Sequence, residues 1–421
     1  MSEPKAPLVN RKLLDPNSRW MLAFLAAVVA LGPLSVDMYL PAMPAMQHAF
    51  DTDIMSMHFT LSAYLWGFAV FHLACGPLAD RFGRKPLLML GTALFVLASA
   101  GCALASSVEE LTAWRFIQGI GACVGPTLAR TITRDVFGPR RAARALSLIA
   151  MLMALAPAVA PGLGGLMLRY VEWPSVFMFL AVYGLLVLWL VAVHLPETLP
   201  APQSLRPRKI AENYLLLLRD PVFLPVAGAS ALVYSGLMAY LACSGFVFIS
   251  MLGVPVEYFG LIFLTSVLGY ISGSGLSAKL AVNYASATVM LGASILAVIA
   301  MLCMLILHML APTSVIAIIL PVTFYAAAMG LFMPHAQVLA MQHHPQIAAT
   351  TSALFGFLQM SLSALLTAGV GAVLTNSPLP MIVTMLLAVL LALGLVLAAR
   401  SQQQLRQTRV SIIDLEKRVD V

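Results

Sequence analysis

Charge is what this 421-residue sequence has least of: Asp, Glu, Lys and Arg make up 10% of it, while 61% is hydrophobic and the mean hydropathy is +0.94. A soluble domain carries about 25% charged residues. An ordinary water-facing surface is therefore excluded, and most of the apolar surplus has to face lipid. Cysteine is sparse too. Cys75, Cys102, Cys123, Cys243 and Cys303 are scattered through apolar segments with no C-x-x-C pair, which argues against a disulfide framework or a cysteine metal site. No Walker-type phosphate loop occurs in a strand-turn-helix context, so ATP is not expected to drive the protein. No metal or cofactor is expected, and no Ser-His-acid or metal constellation points to an enzyme. The net charge of +7 sits in short clusters between apolar runs, which disfavours nucleic acid as a partner. Residues 1–19 are polar, and the apolar stretch that follows is long enough to remain as a spanning helix rather than be removed as a signal.

What is present is a series of apolar runs of membrane length. About twenty helical residues cross the hydrocarbon core. That ruler places spans at 20–41, 55–76, 87–106, 110–132, 143–167 and 174–194, then at 222–250, 257–278, 284–307, 313–340, 347–372 and 378–399. The expected fold is an all-α membrane protein: twelve transmembrane helices in two pseudo-symmetric bundles, 20–194 and 222–399. A cytoplasmic linker at 195–221 joins them, with an interfacial helix near 209–218, and cytoplasmic tails run over 1–19 and 400–421. Lys and Arg set the orientation. With both ends inside, 22 basic residues fall on the inner side, Arg169 alone falls outside, and Arg115 lies within a span.

Two residues resist a purely structural reading. Asp37 is the only acidic residue placed inside an apolar span, near the outer end of the first helix in S-V-D-M-Y-L-P-A-M-P. A carboxylate there is expensive unless it faces water, a polar partner or the bundle interior. It is either an interfacial cap or a protonatable group lining a cavity. Arg115 lies roughly 8 Å inward from the outer start of the fourth span, at a depth similar to Asp37. The two either pair directly or share protons and water. Gln118 follows Arg115 on the same helical face.

Further along, the inner segment from Gly76 and Pro77 through Asp80, Arg81, Gly83, Arg84 and Lys85 to Pro86 reads as a short restricted turn and a candidate cytoplasmic latch. Pro157, Pro161, Gly162, Gly164 and Gly165 concentrate helix breakers and small residues in the fifth span, which suits a gate or hinge. Tyr39, Tyr64, Trp66, Tyr234, Tyr240 and Gln359 are weaker cavity candidates, since aromatics also populate the interfacial belt. His335 is expected near an inner helix end with a hydrated imidazole, and the adjacent His343 and His344 do not by themselves make a metal site.

The inner segment closely resembles the G-x-x-x-D-R-x-G-R-K signature of the major facilitator superfamily. Arg115-x-x-Gln118-Gly119-x-Gly121 resembles its fourth-helix pattern, associated with proton coupling, and Ala160-Pro161-Gly162-Leu163-Gly164-Gly165 is similar to its antiporter motif, with Ala160 in place of the usual first glycine. Together with Asp37-Met38-Tyr39-Leu40-Pro41, the resemblance narrows to bacterial Bcr/CflA-type drug:proton antiporters. It implies a cell inner-membrane exporter working by alternating access as a monomer in lipid, with protons and small amphipathic drugs such as phenicols or organic cations as partners. On that reading Asp37 and Arg115 couple protons, and these two with Gln118, the tyrosines, Trp66 and Gln359 contact substrate. Export of sugars or other polar metabolites is the alternative transport reading, and a non-transporting receptor or scaffold the remaining one.

Overall fold

The computed structural model describes residues 19–154, 156–199, 207–342 and 344–419, with side chains described except at 19, 134, 138–158, 207, 345, 349 and 403–419. The described chain is helical throughout, with no strand among these residues. In order, the helices are α1 (Arg19–Asp37), α2 (Met43–Ala49), α3 (Ile54–Phe82), α4 (Arg84–Ala103), α5 (Val108–Ala154), α6 (Ala156–Tyr170) and α7 (Pro174–His194). They continue as α8 (Pro207–Leu218), α9 (Phe223–Ser244), α10 (Phe259–Leu280), α11 (Ser286–Leu310), α12 (Ile316–Gln342), α13 (Ala348–Val373) and α14 (Leu379–Val419). A 3-10 turn at Leu40–Ala42 joins α1 to α2, and a π-helical segment, Gly245–Met251, extends α9. In lipid every backbone polar group must be satisfied within its own segment, and helices are the solution available to such apolar runs.

Ten helical stretches among the described residues are long and apolar enough to cross a membrane. The two expected spans outside that set, 110–132 and 143–167, fall in α5 and α6. Those spans leave a gap at 133–142, but α5 runs through it as one helix of 47 residues, about 70 Å. That is more than one crossing needs. Its charged middle gives it a composition unlike the purely apolar spans.

Two compact units emerge, Met1–Thr52 with Ala63–Leu205, and Asp53–Ser62 with Arg206–Val421. The first turns of α3, Asp53–Ser62, go with the second unit. In the first unit α4 packs on α5 and α7, and α1 packs on α5, α6 and α7. In the second, α12 lies against α10 and α11, α9 against α13 and α14, and α11 against α14. Outward leucines such as Leu97 and Leu185 in the first unit and Leu268 and Leu391 in the second remain exposed, as lipid-facing positions should.

Two expected boundaries need correction. The first span was expected to end near Pro41 and Pro44. Instead α1 stops at Asp37, and the chain turns through Leu40–Ala42 and resumes as α2, so one apolar stretch runs from Trp20 to Ala49. Proline is tolerated at the first position of a helix because its missing N–H has no intrahelical acceptor there. Pro41 and Pro44 therefore restart the helix here. The inner turn was expected over 76–86, yet α3 continues through Gly76, Pro77, Asp80 and Arg81 to Phe82. Gly83 alone, at φ +102°, breaks the chain before α4.

The approach of α5 to α3 depends on an absent side chain: a Cβ on Gly119 would collide with the carbonyl of Tyr64 and stand 3.0 Å from the amide nitrogen of Phe68. Gly275 in α10 has open space instead. Gly119→Leu is expected to cost about 1–3 kcal/mol through overpacking and to lower the thermal unfolding midpoint in detergent, whereas Gly275→Leu leaves it unchanged. Equal midpoints for the two variants would contradict this packing.

Candidate functional site

Arg115, on α5, is fully buried, and so are Tyr39, Tyr64 and Gln118. Arginine does not lose its charge in proteins, so its surroundings must stabilise a cation. The guanidinium carbon lies 4.3 Å from the centre of the Tyr39 ring and 4.4 Å from that of Tyr64, with Phe177 farther off at 6.0 Å. Each ring face attracts a desolvated cation with about 2 kcal/mol. Nη1 donates to the Ser35 carbonyl at 3.1 Å and to Oε1 of Gln118 at 2.6 Å. The Gln118 amide then donates to Ser99 Oγ at 2.7 Å, and Ser99 donates to the Phe95 carbonyl. The Ser35 hydroxyl, which donates to the Gly32 carbonyl, sits 2.7 Å from the Tyr64 hydroxyl. Nε and Nη2 of Arg115 are buried without a hydrogen-bond partner among the described residues.

Asp37 lies between the two residues of the first span that hold Arg115, the Ser35 carbonyl and the Tyr39 ring. It is 4% exposed, and its Oδ2 is buried with no hydrogen-bond partner among the described residues. That burial does not fit an interfacial cap. No ion pair joins Asp37 to Arg115 among the described residues, so the direct pairing left open by the sequence is not what the structure has. Just beyond Asp37, a Cβ on Gly164 of α6 would stand 2.7 Å from the Met38 carbonyl and 3.1 Å from Pro41 Cγ. The glycines of α6 thus let it press against the break in the first span. Pro161 and Gly165 are buried beside it and Gly162 is half-buried, while the side chain of Pro157 lies outside the described residues.

Below Tyr64 on the same face of α3 come Phe68 and His72, with ring centres 6.5 Å and 5.9 Å apart in succession. The His72 Nδ1 lies 3.3 Å from Thr127 Oγ1 and 3.5 Å from Cys123 Sγ. Spacing of four residues places 64, 68 and 72 on one helical stripe, a signal present in the sequence but not singled out there. Trp66 is half-buried and, two positions from Tyr64, points elsewhere.

The candidate latch forms a second cluster in the same unit. Arg84 Nη1 pairs with Asp80 at 2.9 Å, and its Nε lies 3.4 Å from Asp135. Glu197, from the linker, accepts from the backbone N–H groups of Arg84 at 2.9 Å and Lys85 at 3.2 Å, so its carboxylate caps the start of α4. Lys85 Nζ donates to the Ala192 carbonyl at 2.8 Å, and Thr198 donates to Asp135 at 3.2 Å. Gly83 serves twice: its positive φ suits glycine, and a Cβ there would run into Glu197. Arg81 is exposed, and Gly76 has open space around it. Glu197 and Asp135 were not anticipated as latch partners.

The remaining candidates belong to the second unit. Gln359 donates to Ser230 Oγ at 2.9 Å, and Ser363 donates to the Gln359 carbonyl while lying 3.0 Å from Ser235. Tyr240 is fully buried against Phe248 and Phe263, and Tyr234 is half-buried. His335 corrects part of an expectation: its imidazole is 4% exposed rather than hydrated, with Nδ1 3.1 Å from the Oγ of Ser286, the residue that opens α11. His344 pairs with Asp220 at 2.8 Å, and His343 lies outside the described residues. No cluster of three or more metal-ligating side chains occurs among the described residues.

The described residues form a many-helix membrane protein whose first unit buries a charge network, and comparison with known proteins gives its class. The Major Facilitator Superfamily profile matches residues 25–368, and the chain belongs to that family. It is 33% identical over 362 residues to the uncharacterized MFS-type transporter YdgK of Bacillus subtilis, covering 84% of this chain and 89% of that protein. It is 29% identical over 357 residues to a bicyclomycin resistance protein homolog of Haemophilus influenzae, with coverage of 84% and 89%. A D-xylose-proton symporter superposes with a TM-score of 0.70 over 89% of this chain and 97% of that one, at 17% identity, which shows the shared fold alone.

Removing the Glu197 cap has a measurable consequence. Glu197→Ala is expected to cost about 1 kcal/mol by orphaning the first N–H groups of α4. The thermal midpoint in detergent should fall, with Glu197→Asp falling less. A midpoint unmoved by the alanine variant would show that the cap contributes nothing.

Proposed function

We propose that the protein is a proton-coupled antiporter that exports small amphipathic drugs, such as phenicols or organic cations, by alternating access. The observation that carries this reading is the buried Asp37 carboxyl, whose Oδ2 has no hydrogen-bond partner among the described residues, set between Ser35 and Tyr39, two of the residues that hold Arg115. An isolated buried carboxylate is costly, so the group is completed by a proton or by a cationic part of a drug, one excluding the other. That exclusion is what exchange requires. Arg115 fixes the local field, and Gln118 positions its guanidinium and any polar group of the ligand. Tyr39, Tyr64 and the stripe continuing through Phe68 and His72 offer π-faces for flat or cationic molecules. Tyr234, Tyr240, Trp66 and Gln359 are assigned as further substrate contacts. The bicyclomycin resistance protein homolog of Haemophilus influenzae lends a drug as the substrate class.

The basic clusters put both termini in the cytoplasm of a bacterial inner-membrane protein, with the start of α3 at the outer face. In that setting Arg84, Asp80, Asp135 and Glu197 act as an inner latch, and α6, pressed against the break after Asp37, as the gate. The chain works as a monomer embedded in lipid. Coupling requires each ligand to bind the two access states with different affinity, because equal affinity shifts no population.

Transport into sealed inverted vesicles under an imposed pH gradient tests the assignment, with chloramphenicol and a fluorescent organic cation as probes. Asp37→Asn is expected to remove gradient-driven accumulation while preserving folded protein on size-exclusion chromatography. Arg115→Lys keeps a charge but loses the planar group held between two rings, and transport should fall by about tenfold or more. Wild-type accumulation by the Asp37→Asn variant at every pH would sink the proposal.

A further inference from the structure

His58 stands apart from the network around Arg115. It lies in the first turns of α3, the stretch Asp53–Ser62 that belongs with the second unit. The side chain is fully buried, its ring stacked on Phe246 of the π-helical segment with centres 5.6 Å apart and planes 21° from parallel. Nδ1 is 3.3 Å from the backbone carbonyl of Thr367 on α13. A carbonyl oxygen only accepts, so Nδ1 carries the hydrogen and donates it. Nε2 is then a bare lone pair, and it is buried without a hydrogen-bond partner among the described residues. The fit is close: a Cβ on Gly371 would collide with His58 Cβ and come within 3.1 Å of Nδ1.

The surroundings decide what a proton on Nε2 would meet. From α13, the residues facing the ring are Thr367 and Gly371, and Ala348–Val373 contains no Asp, Glu, Lys, Arg or His. Gly245–Met251 contributes Phe246 and likewise has no ionisable side chain. In α9 the ionisable side chains are the phenols of Tyr234 and Tyr240 and the thiol of Cys243, none of them a counter-charge for a cation when neutral. On its own element, Asp53 caps the helix start by accepting from the Ser56 N–H at 2.7 Å and is exposed. An imidazolium in this place would have no counter-charge and no acceptor for its second N–H. Burying a charge unpaired is among the most costly things a protein does. Arg115 is sustained by two acceptors and two tyrosine faces, whereas a protonated His58 would have one acceptor and one ring, so its protonation works against packing of the segment.

We propose that His58 is a second proton-binding site, separate from Asp37, that takes its proton only when Asp53–Ser62 has lifted away from α13 and the Phe246 segment. A proton bound there holds this joint open, and its loss lets the joint close. With the start of α3 at the outer face, the site reads external pH. The assignment rests on the topology proposed above for its sidedness, and on neither drug nor gradient for the chemistry.

The test is made on the full chain in detergent without drug. Thr367→Cys is introduced with His58 native and with His58→Asn, which keeps a donor near the Nδ1 position but cannot become charged. Modification of residue 367 by an impermeant methanethiosulfonate is read by peptide mass spectrometry. The rate ratio between the two backgrounds cancels the ionisation of the thiol itself. From about pH 8 to about pH 5, the range in which histidine titrates, the ratio is expected to rise by about threefold or more. A ratio that stays flat overturns the proposal. Should His58→Asn not fold, hydrogen exchange of 53–62 in the unsubstituted protein, corrected for intrinsic rates, decides the matter: protection should fall over the same interval, and constant protection overturns it. Failure here leaves drug antiport standing, and failure of the vesicle assay leaves this site standing.

Discussion

A permanent cation buried in a lipid-embedded bundle sets the terms for the first unit. Arg115 is fully enclosed, and no carboxylate pairs with it among the described residues. The stabilisation comes instead from two tyrosine faces, a backbone carbonyl and the Gln118 amide. Supplying those groups from different parts of the chain constrains three segments at once. The first span must break after Asp37 so that Tyr39 folds over the guanidinium, α3 must come close enough for Tyr64 to cover the other side, and Gly119 must lack a side chain to permit it. The same break gives α6 its seat, with Gly164 against Met38. One charge thus explains why a kinked span, a glycine-rich helix and a tyrosine pair occur together.

Charge at the candidate latch obeys a different rule. Arg84 is also buried, but it has carboxylates on two sides, Asp80 and Asp135. Glu197 arrives from a point 113 residues later in the chain to cap α4. These contacts are exchangeable, since each carboxylate has water as an alternative partner. The Arg115 cluster has none. A rigid charged centre near one end of a bundle and a dissociable one at the other is the distribution of stiffness that rocking about a fixed site demands.

Much of this was legible because membrane burial leaves strong marks. The seventh helix, Pro174–His194, agrees with its expected span residue for residue, and Asp37 and Arg115 stood out as charges in apolar runs. What the sequence could not supply was azimuth and long-range pairing. Ser35 and Ser99 are ordinary small polar residues until a guanidinium or an amide is placed against them. Glu197 looked like part of a linker because nothing local distinguishes a helix cap that arrives from far along the chain. His335 was read by its place near an inner end, but helix α12 runs through Pro334 and keeps the ring inside. The restart of the first span after Asp37 was missed because Pro41 and Pro44 mark helix beginnings as readily as endings.

Among the described residues, α3 is the element divided between the two units, with His58 on one side of the division and Tyr64 on the other. Six residues of helix, about 9 Å, separate them. A hydrogen-bonded helix transmits rotation along its axis far better than it absorbs it. A movement that freed His58 by turning α3 as one rod would carry Tyr64 with it, and a ligand that shifted Tyr64 in the same way would act back on His58. Two ionisable sites need not touch to be coupled when one stiff rod carries a necessary contact of each, and such coupling is reciprocal by thermodynamic necessity. The Tyr64 ring that faces Arg115 and the His58 ring proposed to bind a proton thus share one continuous helix, the shortest physical route by which either could influence the other.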